Sequence, residues 1–81
     1  MSVAIFRALG DKTRLKIVRF IGKGERCACK LVPITGKAQS TVSQHLRILT
    51  TAGILESRRE GKNIYYRIRD RRVLKLLDVL K

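Results

Sequence analysis

The sequence predicts a mainly α domain carrying one β-hairpin, and three observations lead to it. Apolar residues recur at helical spacing through most of the chain. Ile64, Tyr66 and Ile68 alternate with Tyr65, Arg67 and Arg69 towards its end, and glycines and aspartates punctuate the boundaries between segments. With 81 residues and 44% hydrophobic content, the chain is read as one domain, residues 1–81, whose thin core excludes a large catalytic fold.

The elements follow in order. Ile5, Phe6 and Leu9 begin a first helix that Gly10 stops, and Asp11 caps a second helix from Lys12 to about Ile21. In that second helix Leu15, Ile17, Val18, Phe20 and Ile21 form a buried stripe. Lys12, Lys16, Arg19 and Lys23 turn outward, and Gly22 and Gly24 end it. A short helix is expected from about Arg26 to Val32, because Pro33 restricts the residue before it and Thr35-Gly36 reads as a turn. From about Gln39 to Ala52, Val42, Leu46 and Leu49 mark a core face, while Ser40, Ser43, Gln44, Arg47 and Thr51 mark an outward one. After Gly53, Ile54 to Arg59 pairs with the following strand across Glu60-Gly61-Lys62-Asn63, giving a hairpin with a basic tip. Asp70 caps a last helix, in which Val73, Leu74, Leu76, Leu77, Val79 and Leu80 cover more than half the circumference. So broad an apolar face exceeds what a thin core needs. A homodimer through residues 2–9 and 70–81 is therefore expected.

Nineteen Lys plus Arg against six Asp plus Glu leave a net charge of +13, a field that favours a polyanion. No apolar run is long enough to span a bilayer and the N-terminus lacks a signal-peptide pattern, so the chain is read as cytoplasmic, without a membrane partner. Between Arg26 and Leu55 there is no acidic residue. Helix, tight turn, then a helix with short polar residues outward is a helix-turn-helix layout, whose second helix lies in the major groove of double-stranded DNA. The candidate contacts on that helix are Gln39, Ser40, Thr41, Ser43, Gln44, His45 and Arg47. Arg47 can fork onto guanine O6 and N7, Gln44 can pair with adenine N6 and N7, and the serines can reach phosphates or base edges. Arg58, Arg59, Lys62 and Asn63 on the hairpin suit backbone tracking or minor-groove entry. The plainer reading of those hairpin charges is an edge kept from aggregating.

Taken together, Phe6-Arg7-Ala8-Leu9-Gly10-Asp11-Lys12-Thr13-Arg14-Leu15, the run Gln39-Ser40-Thr41-Val42-Ser43-Gln44-His45-Leu46-Arg47 and the hairpin Arg58-Arg59-Glu60-Gly61-Lys62-Asn63-Ile64-Tyr65-Tyr66 resemble the ArsR/SmtB family of winged-helix repressors. The resemblance implies a winged helix-turn-helix and a homodimer on a palindromic operator, released by metal or metalloid ions or by oxidation. It assigns His45 to helix packing or DNA contact rather than to a metal. Tyr65 and Tyr66, on opposite strand faces, divide between an exposed site and the core.

Cys27-Ala28-Cys29 falls where metalloid-sensing relatives carry a Cys-x-Cys motif. Thiolates suit arsenite, antimonite or another soft thiophilic ion as effector, and Arg26 and Lys30 beside them favour the thiolate. No cofactor is required beyond such an effector. This chain departs from the relatives' motif at Lys30, where an acid is usual, and at Val32, where some relatives carry a third cysteine. On a helix, residues two apart point about 200° from each other, so both sulfurs can share an ion only if the first turn is not helical. Soft-ion binding, a redox pair and a structural role all stand as readings. Ala38 likewise replaces the polar cap that relatives place before the groove helix, a loss of about 1 kcal/mol.

Two functions compete: a sequence-specific transcriptional regulator, a repressor in this family, and a sequence-indifferent nucleic-acid binder of the chromatin- or RNA-associated kind. An enzyme finds no support, since there is no carboxylate pair, phosphate-cradling glycine loop or nucleophile partner for the single histidine.

Overall fold

The computed structural model describes residues 3–80; Ser2 and Lys81, the outer ends of the expected dimer segments, lie outside the described residues. Eight elements follow one another: α1 (Val3–Leu9), α2 (Lys12–Ile21), β1 (Glu25–Cys27), α3 (Ala28–Thr35), α4 (Gln39–Thr51), β2 (Leu55–Glu60), β3 (Asn63–Ile68) and α5 (Arg71–Val79). This is the expected helix-turn-helix with a hairpin wing. The strands form an antiparallel sheet in the order β1-β3-β2, with Cys27 opposite Tyr65 and Leu55 opposite Ile68.

Local chemistry explains the boundaries. The Asp11 side chain accepts from the Arg14 amide at 3.0 Å to start α2, and Asp70 accepts from the Arg72 amide at 2.9 Å to start α5. Gly36 stands at φ 67° in the turn between α3 and α4, and Gly61 at φ 62° in the wing tip, a left-handed conformation that costs other residues strain.

One apolar cluster holds these elements together. Ile17, Val18 and Ile21 of α2 meet Leu31 of α3 and Val42, Leu46 and Leu49 of α4 there, with Ile5, Ala8 and Leu9 of α1 and Ile54, Leu55 and Val73 completing it. Tyr66 packs against that cluster. Tyr65 is half-buried rather than exposed, because the Arg58 guanidinium lies over its ring at 4.7 Å.

The third helix departs from expectation. It runs from Ala28 to Thr35 with Pro33 inside, and residues 25–27 form β1 instead of a first turn. Proline removes the helical bond its nitrogen would donate and crowds the carbonyl one turn back, a cost that an eight-residue helix packed through Leu31 tolerates. A three-residue strand is too short to show a period of two, so its pairing with β3 leaves no trace in the pattern.

Candidate nucleic-acid interface

Burial of Val42, Leu46 and Leu49 rotates α4 so that Gln39, Ser40, Ser43, Gln44 and Arg47 are exposed, with Thr41 half-buried. Gln44 and Arg47 make no side-chain hydrogen bond or ion pair among the described residues, so their donors and acceptors are available to base edges. The start of α4 is bare, as the sequence implies. Ala38 has the extended backbone of a cap (φ −64°, ψ 151°) but no side-chain bond to the following amides.

His45 does not join that face. Its Nδ1 lies 3.2 Å from Arg14 Nη1 and 3.9 Å from Asp11 Oδ2. Arginine has no lone pair to offer, so Nδ1 accepts and the ring proton sits on Nε2. Arg14 also donates through Nε to the Ala8 carbonyl at 2.6 Å and through Nη2 to the Arg7 carbonyl at 3.4 Å, satisfying the open end of α1. One guanidinium thus ties the end of α1 and the start of α2 to the groove helix. Sequence reasoning missed Arg14 and this second use of Asp11. The bond from the Arg14 amide, with the Arg14 charge behind it, holds the Asp11 carboxyl below its ordinary range.

The wing is charged differently. Arg58 donates to Glu25 through Nε at 2.9 Å and Nη2 at 2.7 Å, and to Glu60 through Nη1 at 2.6 Å. Arg67 pairs with Glu56 on the neighbouring strand. The Arg58 bond lowers the Glu25 pKa, and the two glutamates raise that of Arg58. Arg58 is thus a brace between β1 and the hairpin, whereas Arg59, Lys62 and Asn63 remain exposed without an ion pair among the described residues.

Cys27 and Cys29 are joined as a disulfide, with their Cα atoms 5.1 Å apart. The geometric objection disappears because Cys27 is not helical. It caps α3 in extended conformation (φ −67°, ψ 140°), and its sulfur accepts from the Cys29 amide at 3.2 Å. Arg26, on the opposite strand face, is spent on Phe20, stacked 4.5 Å from the ring centroid and bonded to the Phe20 carbonyl at 3.3 Å. Both cysteines line a crevice of about 440 Å³ whose other walls include Val32 and Pro33 of α3, Gln39, Val42, Ser43 and Leu46 of α4, and Lys62, Asn63 and Ile64 of the wing. Among the described residues, no three His, Cys, Asp or Glu side chains gather where a metal ion could sit, so one chain offers a soft ion two sulfurs and no third ligand. No helix of the described residues is long and apolar enough to cross a membrane.

An exposed polar helix after a tight turn, flanked by a basic hairpin, defines a winged helix-turn-helix DNA-binding domain. Comparison with known proteins agrees. Residues 11–57 match the family described as "Bacterial regulatory protein, arsR family", and the chain belongs to that family. It is 45% identical over 80 residues to an uncharacterized HTH-type transcriptional regulator of Methanocaldococcus jannaschii, covering 94% of this chain and 90% of that one. It is 41% identical over 80 residues to a cadmium resistance transcriptional regulatory protein CadC homolog of Staphylococcus aureus, covering 96% of this chain and 66% of that one. Among solved structures, the homodimeric winged helix-turn-helix DNA-binding domain of Mb0332 from Mycobacterium bovis superposes with a TM-score of 0.85 at 34% identity, covering 95% of this chain and 71% of that one. The chain spans about half to two thirds of the length of the cadmium, mercury and arsenic resistance regulators it matches.

Proposed function

We propose that this chain is a cytoplasmic, homodimeric, sequence-specific transcriptional repressor, not an enzyme, and that chemistry at Cys27 and Cys29 releases it from a palindromic operator. The observation that carries this reading is the crevice in which the cysteine pair faces both the groove helix and the wing tip. A change at the sulfurs is within reach of both DNA-contacting parts across that one crevice. Homodimers through α1 and α5 are supported by the apolar side chains those helices leave in water, Val3 and Phe6 on α1, Val79 on α5 and Leu80 at its cap. A dimer would set the two α4 helices about 34 Å apart, one turn of B-DNA. A sequence-indifferent binder is not favoured, because its charge would not require the unpaired groove-reading side chains of α4.

Two forms of release use the same pair and exclude one another. In the reduced form, two thiolates would occupy two positions of a soft ion such as arsenite, with the remaining ligand supplied from outside the described chain. In the oxidised form, the two thiols give two electrons and two protons to a peroxide, which leaves as two waters, and a disulfide closes. A gel shift on the chain's own upstream DNA, with reductant, peroxide, arsenite or zinc, tests both. Operator binding by the reduced protein that arsenite or peroxide abolishes, and that Cys27→Ser with Cys29→Ser makes insensitive, is the expected result. Binding indifferent to all four reagents overturns the regulatory role of the cysteines while leaving operator recognition standing. Equal affinity for upstream and random DNA overturns operator recognition itself.

A further inference from the structure

We propose that the outward face of α2 is a second, sequence-indifferent contact for duplex DNA, on a different side of the molecule from α4, so that the operator-bound protein can hold a second DNA segment. At about 100° per residue, Lys12, Lys16 and Arg19 fall within about 60° of one another, opposite the buried Ile17, Val18 and Ile21. Lys23 continues the row beyond the Gly22 cap and lines one cleft with Arg19. All four side chains are exposed, and none of the three lysines is in an ion pair among the described residues. Arg19 reaches the Leu80 carbonyl at 3.4 Å, and Asp78 lies at that end of the row as its nearest acid on α5.

The direction of this face follows from packing. The buried side of α2 and the buried side of α4 meet in the same core, so their outward sides diverge, across a molecule only 23 Å through its shorter axes. A straight duplex seated on α4 therefore leaves the α2 row facing away from it. Like charges at helical spacing cost helix stability, and solubility alone is better served by mixed signs. The row is about 16 Å long, long enough to meet several phosphates. A protein partner would call for apolar or aromatic anchors, yet the exposed large apolar side chains, Val3, Phe6, Ile48, Val79 and Leu80, all lie on other elements. Single-stranded nucleic acid would call for exposed rings to stack on, and Phe20 is covered by Arg26. Phosphate backbone needs only the charges that are present.

The inference rests on α4 being the operator helix, so the test separates the two. Operator duplex is fixed to beads, loaded with the full chain, washed, and offered a labelled random duplex; a gel shift on the operator alone is run in parallel. The variant Lys12→Gln, Lys16→Gln, Arg19→Gln, Lys23→Gln should keep its operator shift within about twofold and lose at least tenfold in capture of the second duplex. In an Arg47→Ala, Lys62→Ala background, removing the row should flatten the salt dependence of random-duplex binding by about 3 to 4 units of log K against log salt. Circular dichroism checks that each variant is folded. Failure of the operator shift in the unmodified protein refutes the operator reading. Undiminished capture by the row variant, no capture by the unmodified protein, or displacement of the second duplex by polyglutamate but not by more random duplex overturns the second site.

Discussion

The groove helix and the wing both present arginines to solvent, but they hold them in opposite ways. On α4, Arg47 and Gln44 have no partner among the described residues, while on the wing Arg58 is gripped by Glu25 and Glu60, and Arg67 by Glu56. A basic residue already neutralised within the protein releases little counterion when DNA arrives. The wing therefore offers fewer net charges to phosphate than its composition suggests. Its arginines mainly fasten β2 and β1 to the central strand, which fixes where Arg59, Lys62 and Asn63 stand.

The largest expected effect lies on the unpaired side of this contrast. Arg47→Ala should cost operator affinity about 10- to 100-fold, the range for one bidentate guanine contact, while binding to random duplex changes far less. Fluorescence anisotropy on operator and scrambled DNA at one salt concentration measures it. If both affinities fall equally, Arg47 contacts phosphate and the specificity resides elsewhere on α4.

The paired side gives the next effect. Glu25→Gln with Glu60→Gln should free Arg58, steepen the salt dependence on random DNA by about 0.9 unit and leave operator preference unchanged. Arg58→Ala, by contrast, should barely alter the salt dependence. Equal losses for Arg58→Ala and Lys62→Ala would erase the distinction between a brace and a contact.

This contrast also marks how far the sequence can be read. Six of the eight elements follow from periodicity and caps, and the residues of α4 that face out are those its spacing assigns. What escaped depends on partners distant in sequence. Glu25 and Arg58 meet only because β1 pairs with β3, and the three residues of β1 carry no periodic signal of their own. His45 sits beside Gln44 in sequence yet belongs to a different face, because Arg14 and Asp11 draw its ring inward. The cysteine pair was legible as chemistry but not as geometry. Placing α3 two residues late is what lets the sulfurs meet.

The His45 knot carries a smaller, pH-dependent effect. The Asp11 carboxyl titrates below its ordinary value of 3.8 in the folded chain, chiefly through the Arg14 amide. A depressed carboxyl contributes stability above its unfolded pKa and loses it as pH falls through the folded one. Asp11→Asn keeps a capping side chain but not its charge. At pH 7 it should be less stable than the parent by about 0.5 kcal/mol, a typical value for an exposed charge at a helix start, and the gap should close at a pH below the lowered folded pKa. Urea melts at the two pH values measure it; a gap that persists in acid would assign the loss to geometry instead of charge.

A stability effect of similar size tests the bare start of α4. Ala38 already has the extended backbone of a cap, so Ala38→Ser needs no rearrangement to place an oxygen near the amides of Ser40 and Thr41. The variant should gain about 0.5 to 1 kcal/mol in urea melts. Its effect on DNA binding is the more informative result. If the first turn of α4 frays until phosphate orders it, pre-forming that turn removes an ordering cost and tightens operator and random DNA alike, by no more than the gain in stability. Amide exchange at Ser40 to Val42 should slow in the variant without DNA and match the parent's once DNA is bound. Strong protection of those amides in the unbound parent would mean that the turn is held without a cap, and would confine the benefit of serine to stability.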